Sequence, residues 1–121
     1  MEPMSQPNAQ KFCQAALSHL VEVNSREENE AIKAEINRRG FRSRKVEFWM
    51  GVTDRHSEGN WVLESTGESL PFTYWRDGEP NDGEEGNCAH WTSSMKWNDD
   101  SCNHGHHILF RDYSYNALCE I

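Results

Sequence analysis

The alternation of apolar and polar positions divides the chain into a helical first third and a longer part of short strands and loops. Residues 5–8 offer helix-capping side chains, and the next apolar residues follow at a helix-like spacing: Phe12, Ala15, Ala16 and Leu17. This pattern predicts a first helix. The alternating run His19–Val23 then predicts a short strand.

The run NSREENEAIKAEINRRG gives the strongest helix signal in the chain. It opens with a choice of two N-cap residues, Asn24 or Ser25, and places two glutamates in the first turn. Two arginines close it before Gly40, which suits the negative end of the helix dipole and the usual glycine stop. A second helix is therefore predicted to begin after Asn24 or Ser25 and to end before Gly40.

After Gly40 the pattern changes to that of a β-rich chain with long irregular segments. VEFWMGVTD is an apolar run rich in strand-forming residues, and short strand-like stretches follow it among turn formers. Residues 53–59 and 65–87 show little periodicity. Long irregular segments in a compact domain carry function or are held by something other than secondary structure. The order of elements predicts a single α+β domain.

Length and charge narrow the functional classes. The chain has 121 residues, enough for one core, and a formal net charge of −8. That charge argues against nucleic acid and anionic membrane surfaces as partners and favours cations. No window reaches the apolar length needed to cross a bilayer, so no membrane insertion is expected.

The four cysteines indicate the compartment. They are even in number and form no CxxC pair, which favours two disulfides over zinc or redox chemistry. Disulfides belong to an oxidising environment, so we expect a secreted, extracellular protein. The opening residues, MEPMSQPNAQKF, lack the basic and apolar segments of a signal peptide and by themselves would indicate cytoplasm.

Three clusters of oxygen-bearing side chains stand in the irregular part of the chain. They are TDRHSEG, EPNDGEEGNC and KWNDDSC. Calcium takes six to eight oxygen ligands from carboxylates, amides, backbone carbonyls and water, and mixed Asp, Glu and Asn suit it better than zinc. The spacing is not that of an EF-hand, so ligands would come from separate loops. Solvated acidic loops are the alternative interpretation.

The motifs FWMGVTD, GNW, EPN and WNDDSC, in this order and bounded by cysteines, resemble the C-type lectin domain. The resemblance implies two helices packed on small antiparallel sheets with a long calcium-binding loop region. It covers residues 9–121 as a carbohydrate-recognition domain that is short at its N-terminus, which leaves 1–8 as a flexible N-terminus. The family's disulfide order would pair Cys13 with Cys119 and Cys88 with Cys102.

The resemblance also implies two calcium sites. The sugar-binding calcium site falls on Glu79, Asn81, Asn98 and Asp99, and Pro80 takes the place of the family's cis proline. The family's further glutamate falls on Gly86 here, so Glu85, or alternatively Glu84, would supply that oxygen through a register shift. An accessory calcium site falls on Asp54, Glu58 and Asp82, with Asn87 in the place of an aspartate.

In this family EPN accompanies equatorial 3- and 4-hydroxyl groups, which implies binding of mannose, N-acetylglucosamine, glucose or fucose. The expected function is calcium-dependent recognition of glycans or microbial surfaces, without catalysis. Single lectin sites bind weakly and gain from multivalency, so a homo-oligomer is a plausible form. One alternative is a lectin-like module for protein contact or for mineral or ice binding. A glycosidase with paired carboxylates is the less favoured alternative.

Other prominent residues receive plainer interpretations. Trp49 and Trp61 are expected in the core, with platforms for a ligand as the alternative, and Trp91 and Trp97 are expected in the core or as supports of loops. The histidines at 104, 106 and 107 resemble a zinc triplet, but the resemblance commits Cys102 to a disulfide, which leaves too few ligands. The basic run RRGFRSRK is expected to be solvated, with contact to sulfated or sialylated glycans as the alternative. More sequence than the family normally carries lies between Cys102 and Cys119. This insert is expected either to fold back as a strand over the uncovered edge of the sheet or to be an artefact of the gene model or of splicing.

Overall fold

The computed structural model describes residues 5–41, 46–80, 86–92, 94–102 and 114–120. The elements in these ranges follow the chain in the order α1 (Gln6–Ala15), β1 (His19–Leu20), α2 (Arg26–Arg38), β2 (Val46–Thr53), β3 (Val62–Leu63), β4 (Cys88–Trp91), β5 (Trp97–Asp100), β6 (Ser114–Ala117) and β7 (Cys119–Glu120). The predicted α+β class, with two helices and small sheets, is confirmed.

The strands form two sheets. The larger sheet has the order β3-β2-β4-β5, and β6 pairs with the first half of β2. The smaller sheet consists of β1 and β7. Every pair is antiparallel except β2 with β6, which is parallel. In the larger sheet, the end of β2 leads into the TDRHSEG cluster, and its neighbour β4 pairs with β5, which carries most of the KWNDDSC cluster.

Helix α1 is present, but the apolar residues that predicted it do not form its buried face. The buried residues are Gln6, Ala9 and Cys13, whereas Phe12 and Leu17 are 60% and 90% exposed. The disulfide of Cys13 and the buried hydrogen bonds of the Gln6 side chain hold this face against the domain. The helix begins at Gln6, inside the segment 1–8 that was expected to be a flexible N-terminus.

Helix α2 matches its prediction closely. Ser25, not Asn24, is the N-cap, and its hydroxyl accepts a hydrogen bond from the Glu28 N–H at 3.1 Å. Gly40 follows the C-cap with a φ of +71°, a left-handed conformation that glycine adopts at little cost. In the part of the chain that the structure describes, no helix is long and apolar enough to span a membrane.

The strand predicted for His19–Val23 is only two residues long as a regular element. Beyond Leu20, the Val21 N–H donates to the Leu118 carbonyl and the Val21 carbonyl accepts from the Gly51 N–H, both at 2.8 Å. This segment therefore divides its hydrogen bonds between two neighbouring segments. That division ends the regular pairing with β7 and links the small sheet to β2.

The core lies around β2, β4 and β5. Trp49, Trp91 and Trp97 are 0–1% exposed, so their predicted burial is confirmed. Trp61 is half-buried and packs against the core cluster of Trp91 and Trp97. Rings meet edge to face from Trp61 to Trp75 at 4.9 Å, from Trp75 to Trp97 at 5.7 Å, and from Trp97 to Trp91 at 6.2 Å. This chain of aromatic contacts connects the irregular loops to the centre of the sheet.

Two disulfides brace the fold. Cys13 bonds to Cys119 across a sequence separation of 106, and Cys88 bonds to Cys102 across a separation of 14. Both pairings implied by the family resemblance are confirmed. Bonds of this kind stabilise small domains by about 2–4 kcal/mol each, largely by restricting the unfolded chain.

Candidate metal centre and glycan-binding site

Three of the predicted ligands line one cleft. Asp54, Glu58 and Asp99 contribute to the walls of a cavity of about 460 Å³, beside the rings of Trp61 and Trp75. Asp54 directly follows β2, Glu58 lies in the loop after it, and Asp99 lies on β5. Residues far apart in the sequence therefore meet where the loops gather above the end of the sheet.

Asp54 is held firmly by its backbone and by one carboxylate oxygen. Its N–H donates to the Asn87 carbonyl at 3.1 Å, and its Oδ2 accepts from the Gly59 N–H at 2.9 Å. The residue is only 2% exposed. Its other oxygen, Oδ1, is buried and has no hydrogen-bond partner within the described ranges. A buried carboxylate is costly unless it is paired or coordinates a metal.

The segment that carries Glu79 is tied to β5 by backbone hydrogen bonds. The Trp97 N–H donates to the Tyr74 carbonyl at 3.0 Å, and the Arg76 N–H donates to the Trp97 carbonyl at 2.8 Å. The Glu79 N–H in turn donates to the Arg76 carbonyl at 2.9 Å. The EPN and WND motifs therefore begin side by side, although nearly twenty residues separate them in the sequence.

The Glu79–Pro80 peptide bond is cis, as the family resemblance implied. Glu79 itself is half-buried, with its Oε1 oxygen out of contact with solvent. Pro80 and Gly86, which flank residues 81–85 in the sequence, both line the cleft. The first residue of the EPN motif is thus next to the cleft wall.

Asn98 and Asp99 are successive residues of β5 and differ in exposure. Asp99 is 1% exposed and lines the cleft, whereas Asn98 is half-buried. The Asn98 Oδ1 is buried and lacks a hydrogen-bond partner among the residues that the structure describes. Like Oδ1 of Asp54, this amide oxygen is a hard donor of the kind that calcium prefers.

Asn81, Asp82 and Glu85, together with the alternative Glu84, lie outside the described residues, as do the histidines at 104, 106 and 107. Within the described ranges, no three side chains of Asp, Glu, His or Cys converge closely enough to hold a metal ion. A calcium ion at this cleft therefore needs amide oxygens such as that of Asn98, or oxygens from residues 81–85. The described donors fit calcium in their chemistry, since they are all oxygens.

A polar network beside the cleft escaped the sequence analysis. Arg55 donates from Nη2 to Glu64 Oε2 at 3.1 Å and to Gln6 Oε1 at 3.4 Å, and the Gln6 amide also donates to Glu64. It joins α1 to the loop that starts at Asp54. No local signal could have revealed it, because its members are separated by up to 58 positions.

The disulfide between Cys88 and Cys102 holds the start of β4 against the end of β5. In the ladder between these strands, Cys88 pairs with Asp100 and Ala89 pairs with Asp99. A covalent bond therefore supports the strand pair immediately beside the residues that line the cleft.

Comparison with known proteins identifies the family of this arrangement. The profile of the Lectin C-type domain matches residues 2–109. The hepatic lectin of Gallus gallus is 36% identical over 101 residues, which are 82% of this chain and 45% of that protein. The chain thus spans less than half the length of this relative.

Solved structures give the same result. The carbohydrate-recognition domain of the mouse scavenger receptor C-type lectin is 31% identical, with a TM-score of 0.75 over 86% of this chain and 76% of that one. The cow CD23 C-type carbohydrate-recognition domain, solved in the presence of GlcNAc2Man3 oligosaccharide, is 28% identical with a TM-score of 0.71, covering 84% and 74%. A calcium-independent type II antifreeze protein, 22% identical with a TM-score of 0.69 over 87% and 75%, shares the fold alone.

Proposed function

The chain belongs to the C-type lectin domain family, and we propose that it binds mannose-type sugars through a calcium ion held at the cleft described above. The observation that carries this proposal is a pair of buried oxygens, Oδ1 of Asn98 and Oδ1 of Asp54, that lack a partner in the described part of the chain and lie on residues at or next to the cleft wall. A cation is the natural partner for such an oxygen.

The proposed principal site uses five side chains: Glu79, Asn81, Glu85, Asn98 and Asp99. The proposed accessory site uses Asp54, Glu58 and Asp82. When bound, calcium accepts lone pairs from sugar hydroxyl groups, which anchors the sugar. The carboxylates accept the hydroxyl protons, and the amide NH₂ groups donate to the same hydroxyl oxygens. Glu79 with Asn81, and Glu85 with Asn98, would form two such sets for two neighbouring hydroxyl groups.

The preference for mannose, N-acetylglucosamine, glucose or fucose rests on the EPN motif at Glu79–Asn81. The similar CD23 domain was solved in the presence of a mannose-containing oligosaccharide, which supports this choice. The rival within the family is a preference for galactose, and the order of glutamate and asparagine in the motif distinguishes the two preferences.

A module that binds protein, mineral or ice without sugar is the second candidate function, because an antifreeze protein shares the fold. The intact EPN and WND motifs favour sugar, since a calcium-independent surface has no need for them. We further propose that the chain acts by binding and not by catalysis, and that it works in an extracellular, oxidising compartment. The two disulfides support that location.

The proposal is tested with a glycan array probed twice, once with calcium and once with a chelator. We expect mannose-type glycans to be retained only with calcium. Retention of no glycan in either condition, by protein that is folded by circular dichroism, would favour the second candidate function. A labelled glycan incubated with the protein should be recovered intact, because release of a product would indicate a glycosidase.

A further inference from the structure

A basic and aromatic surface lies between α2 and β5. The Lys33 Nζ is 4.8 Å from the centre of the Tyr74 ring, and the Lys96 Nζ is 5.6 Å from the same centre. We call these three residues the Tyr74 patch. Both ammonium groups therefore lie close to the same ring and close to each other. The patch continues to Phe72, which stacks on Tyr74 at 6.3 Å.

The patch holds positive charge that the protein does not neutralise. Lys33 pairs with Glu30 at 3.6 Å, but in the described ranges Lys96 forms no ion pair with a carboxylate. The pKa of Lys33 lies above its usual range, chiefly because its ammonium donates to the Tyr74 hydroxyl. In a chain with a formal net charge of −8, this local excess of cations is an exception.

The Tyr74 hydroxyl adds a directed donor. It accepts from the Lys33 Nζ at 3.1 Å, and its own proton has no acceptor among the described residues. Tyr74 and both lysines are half-buried, so they are reachable from solvent and yet partly fixed by packing. Charged groups in such positions are screened less than fully exposed ones. The Lys96 ammonium and the Tyr74 hydroxyl proton are thus available to a single acceptor, and the Lys33 ammonium, which already contacts Glu30 and Tyr74, lies beside them.

The patch lies close to the proposed sugar site. Lys96 directly precedes β5 and lies two positions before Asn98, so their Cα atoms are at most roughly 7 Å apart. The Tyr74 carbonyl is bonded to the Trp97 N–H at 3.0 Å, which fixes the aromatic residue beside the same strand. The distance between Lys96 and Asn98 is comparable to the length of one sugar residue in a glycan chain.

We propose that the Tyr74 patch binds an anionic group, a sulfate ester or a carboxylate, on the sugar residue next to the one held at the calcium site. This inference rests on the proposed function and adds a preference for acidic glycans to it. Lys33, Lys96 and the Tyr74 hydroxyl supply charge-assisted hydrogen bonds to the anion. A purely structural cation–π cluster would instead leave neutral and acidic glycans equally bound.

The test compares three glycans that share one terminal mannose and differ only in the neighbouring sugar, which is neutral, sulfated or carboxylated. Affinities are measured by surface plasmon resonance with calcium for the wild type, Lys96→Gln and the control Lys11→Gln, a change at an exposed lysine of α1. We expect the wild type and Lys11→Gln to prefer at least one acidic glycan by about threefold to tenfold, and Lys96→Gln to show a ratio near one.

Tyr74→Phe keeps the ring and removes the hydroxyl, so it should lose part of the preference. A preference for the sulfated or the carboxylated glycan alone supports the subsite and identifies its anion. Equal binding of all three glycans by the wild type, or an unchanged preference in Lys96→Gln, overturns it. Failure of the neutral glycan to bind with calcium is a separate result, and it would overturn the proposed function and the subsite together.

Discussion

The backbone N–H of Asp54 donates to the carbonyl of Asn87 across 3.1 Å. This single bond joins the loop that follows β2 to the residue that precedes β4. On the β5 side, Ala89 pairs with Asp99, so the buried carboxylates of Asp54 and Asp99 are carried by directly connected segments. The pairing of strands in the sheet therefore brings the residues of the cleft together, in addition to the sequence of the loops.

Replacing Asp54 tests the role of its buried oxygen. Asp54→Asn keeps the shape of the side chain and an acceptor for the Gly59 N–H, but it removes the charge. We expect calcium affinity to fall by about tenfold or more, because affinity follows the charge of the ligand set. Without calcium the variant should be at least as stable as the wild type, since a buried charge is lost.

Isothermal titration with calcium and thermal unfolding in chelator measure these two effects. Asp77→Asn is the matched control, because Asp77 is exposed in a nearby turn. Equal calcium affinity of the wild type and Asp54→Asn would remove Asp54 from the proposed ligand set.

Exchanging the order of the EPN side chains tests sugar choice. Glu79→Gln combined with Asn81→Asp conserves the number of carboxylates and amides but reverses their positions. Because each hydroxyl group needs its own donor and acceptor, we expect the ranking on a glycan array to move from mannose towards galactose. Calcium affinity, measured in parallel, serves as the control for an intact site. A variant that binds calcium and still ranks mannose first would show that this motif does not select the sugar.

Gln6 anchors α1 to the rest of the domain. Its amide donates to the Met50 carbonyl at 3.3 Å and to Glu64, and the residue is 0% exposed. Gln6→Ala should lower the free energy of unfolding by about 1–3 kcal/mol, because buried partners lose their hydrogen bonds. Gln14→Ala, at an exposed position near the end of the same helix, should change it by less than about 0.5 kcal/mol. Urea unfolding curves that coincide for Gln6→Ala and the wild type would contradict this role.

Glu120 gives the stability a defined pH dependence. Burial raises the pKa of its carboxyl group, although the Glu22 N–H donates to it at 2.8 Å and His19 lies 3.9 Å away. Glu28 and Glu22 add to the negative charge around it. An acid with a raised folded pKa contributes stability that is complete below its unfolded pKa and is lost as the pH rises through the folded pKa.

Glu120→Gln should therefore be more stable than the wild type at neutral pH, and this advantage should shrink as the pH falls from about 7 to about 4. Chemical unfolding in chelator at several pH values measures the difference without any contribution from calcium. A difference that stays constant, or that grows towards acid, would contradict the assigned cause.

Local signals were sufficient for several elements. Capping and charge predicted that α2 begins after Asn24 or Ser25 and ends before Gly40, and the apolar run Val46–Thr53 forms the buried strand β2. The α1 helix was predicted, but its face was not, because apolar side chains such as Phe12 are exposed while the polar Gln6 is buried. The rotation of α1 about its axis is fixed by the Cys13–Cys119 disulfide and by the hydrogen bonds of Gln6, which involve residues far away in the sequence. The periodicity of the helix sequence contains no information about these contacts.

The site motifs were predicted from the family pattern, but no local sequence feature predicted which of them lie next to each other in the structure. The bonds between Arg76 and Trp97, and between Asp54 and Asn87, connect segments that are more than twenty residues apart. Lys33 and Lys96 both contact the ring of Tyr74, although the two lysines are 63 positions apart in the sequence. Contacts of this range follow from the tertiary fold alone.

The central claim is that oxygens from separate loops hold a calcium ion that binds sugar. Its most direct test is a calorimetric titration of calcium into the whole folded chain. We expect saturable uptake with a dissociation constant of about a millimolar or tighter, as in extracellular calcium modules. No heat of binding up to several times that concentration, from protein whose fold is verified by circular dichroism, would contradict the account.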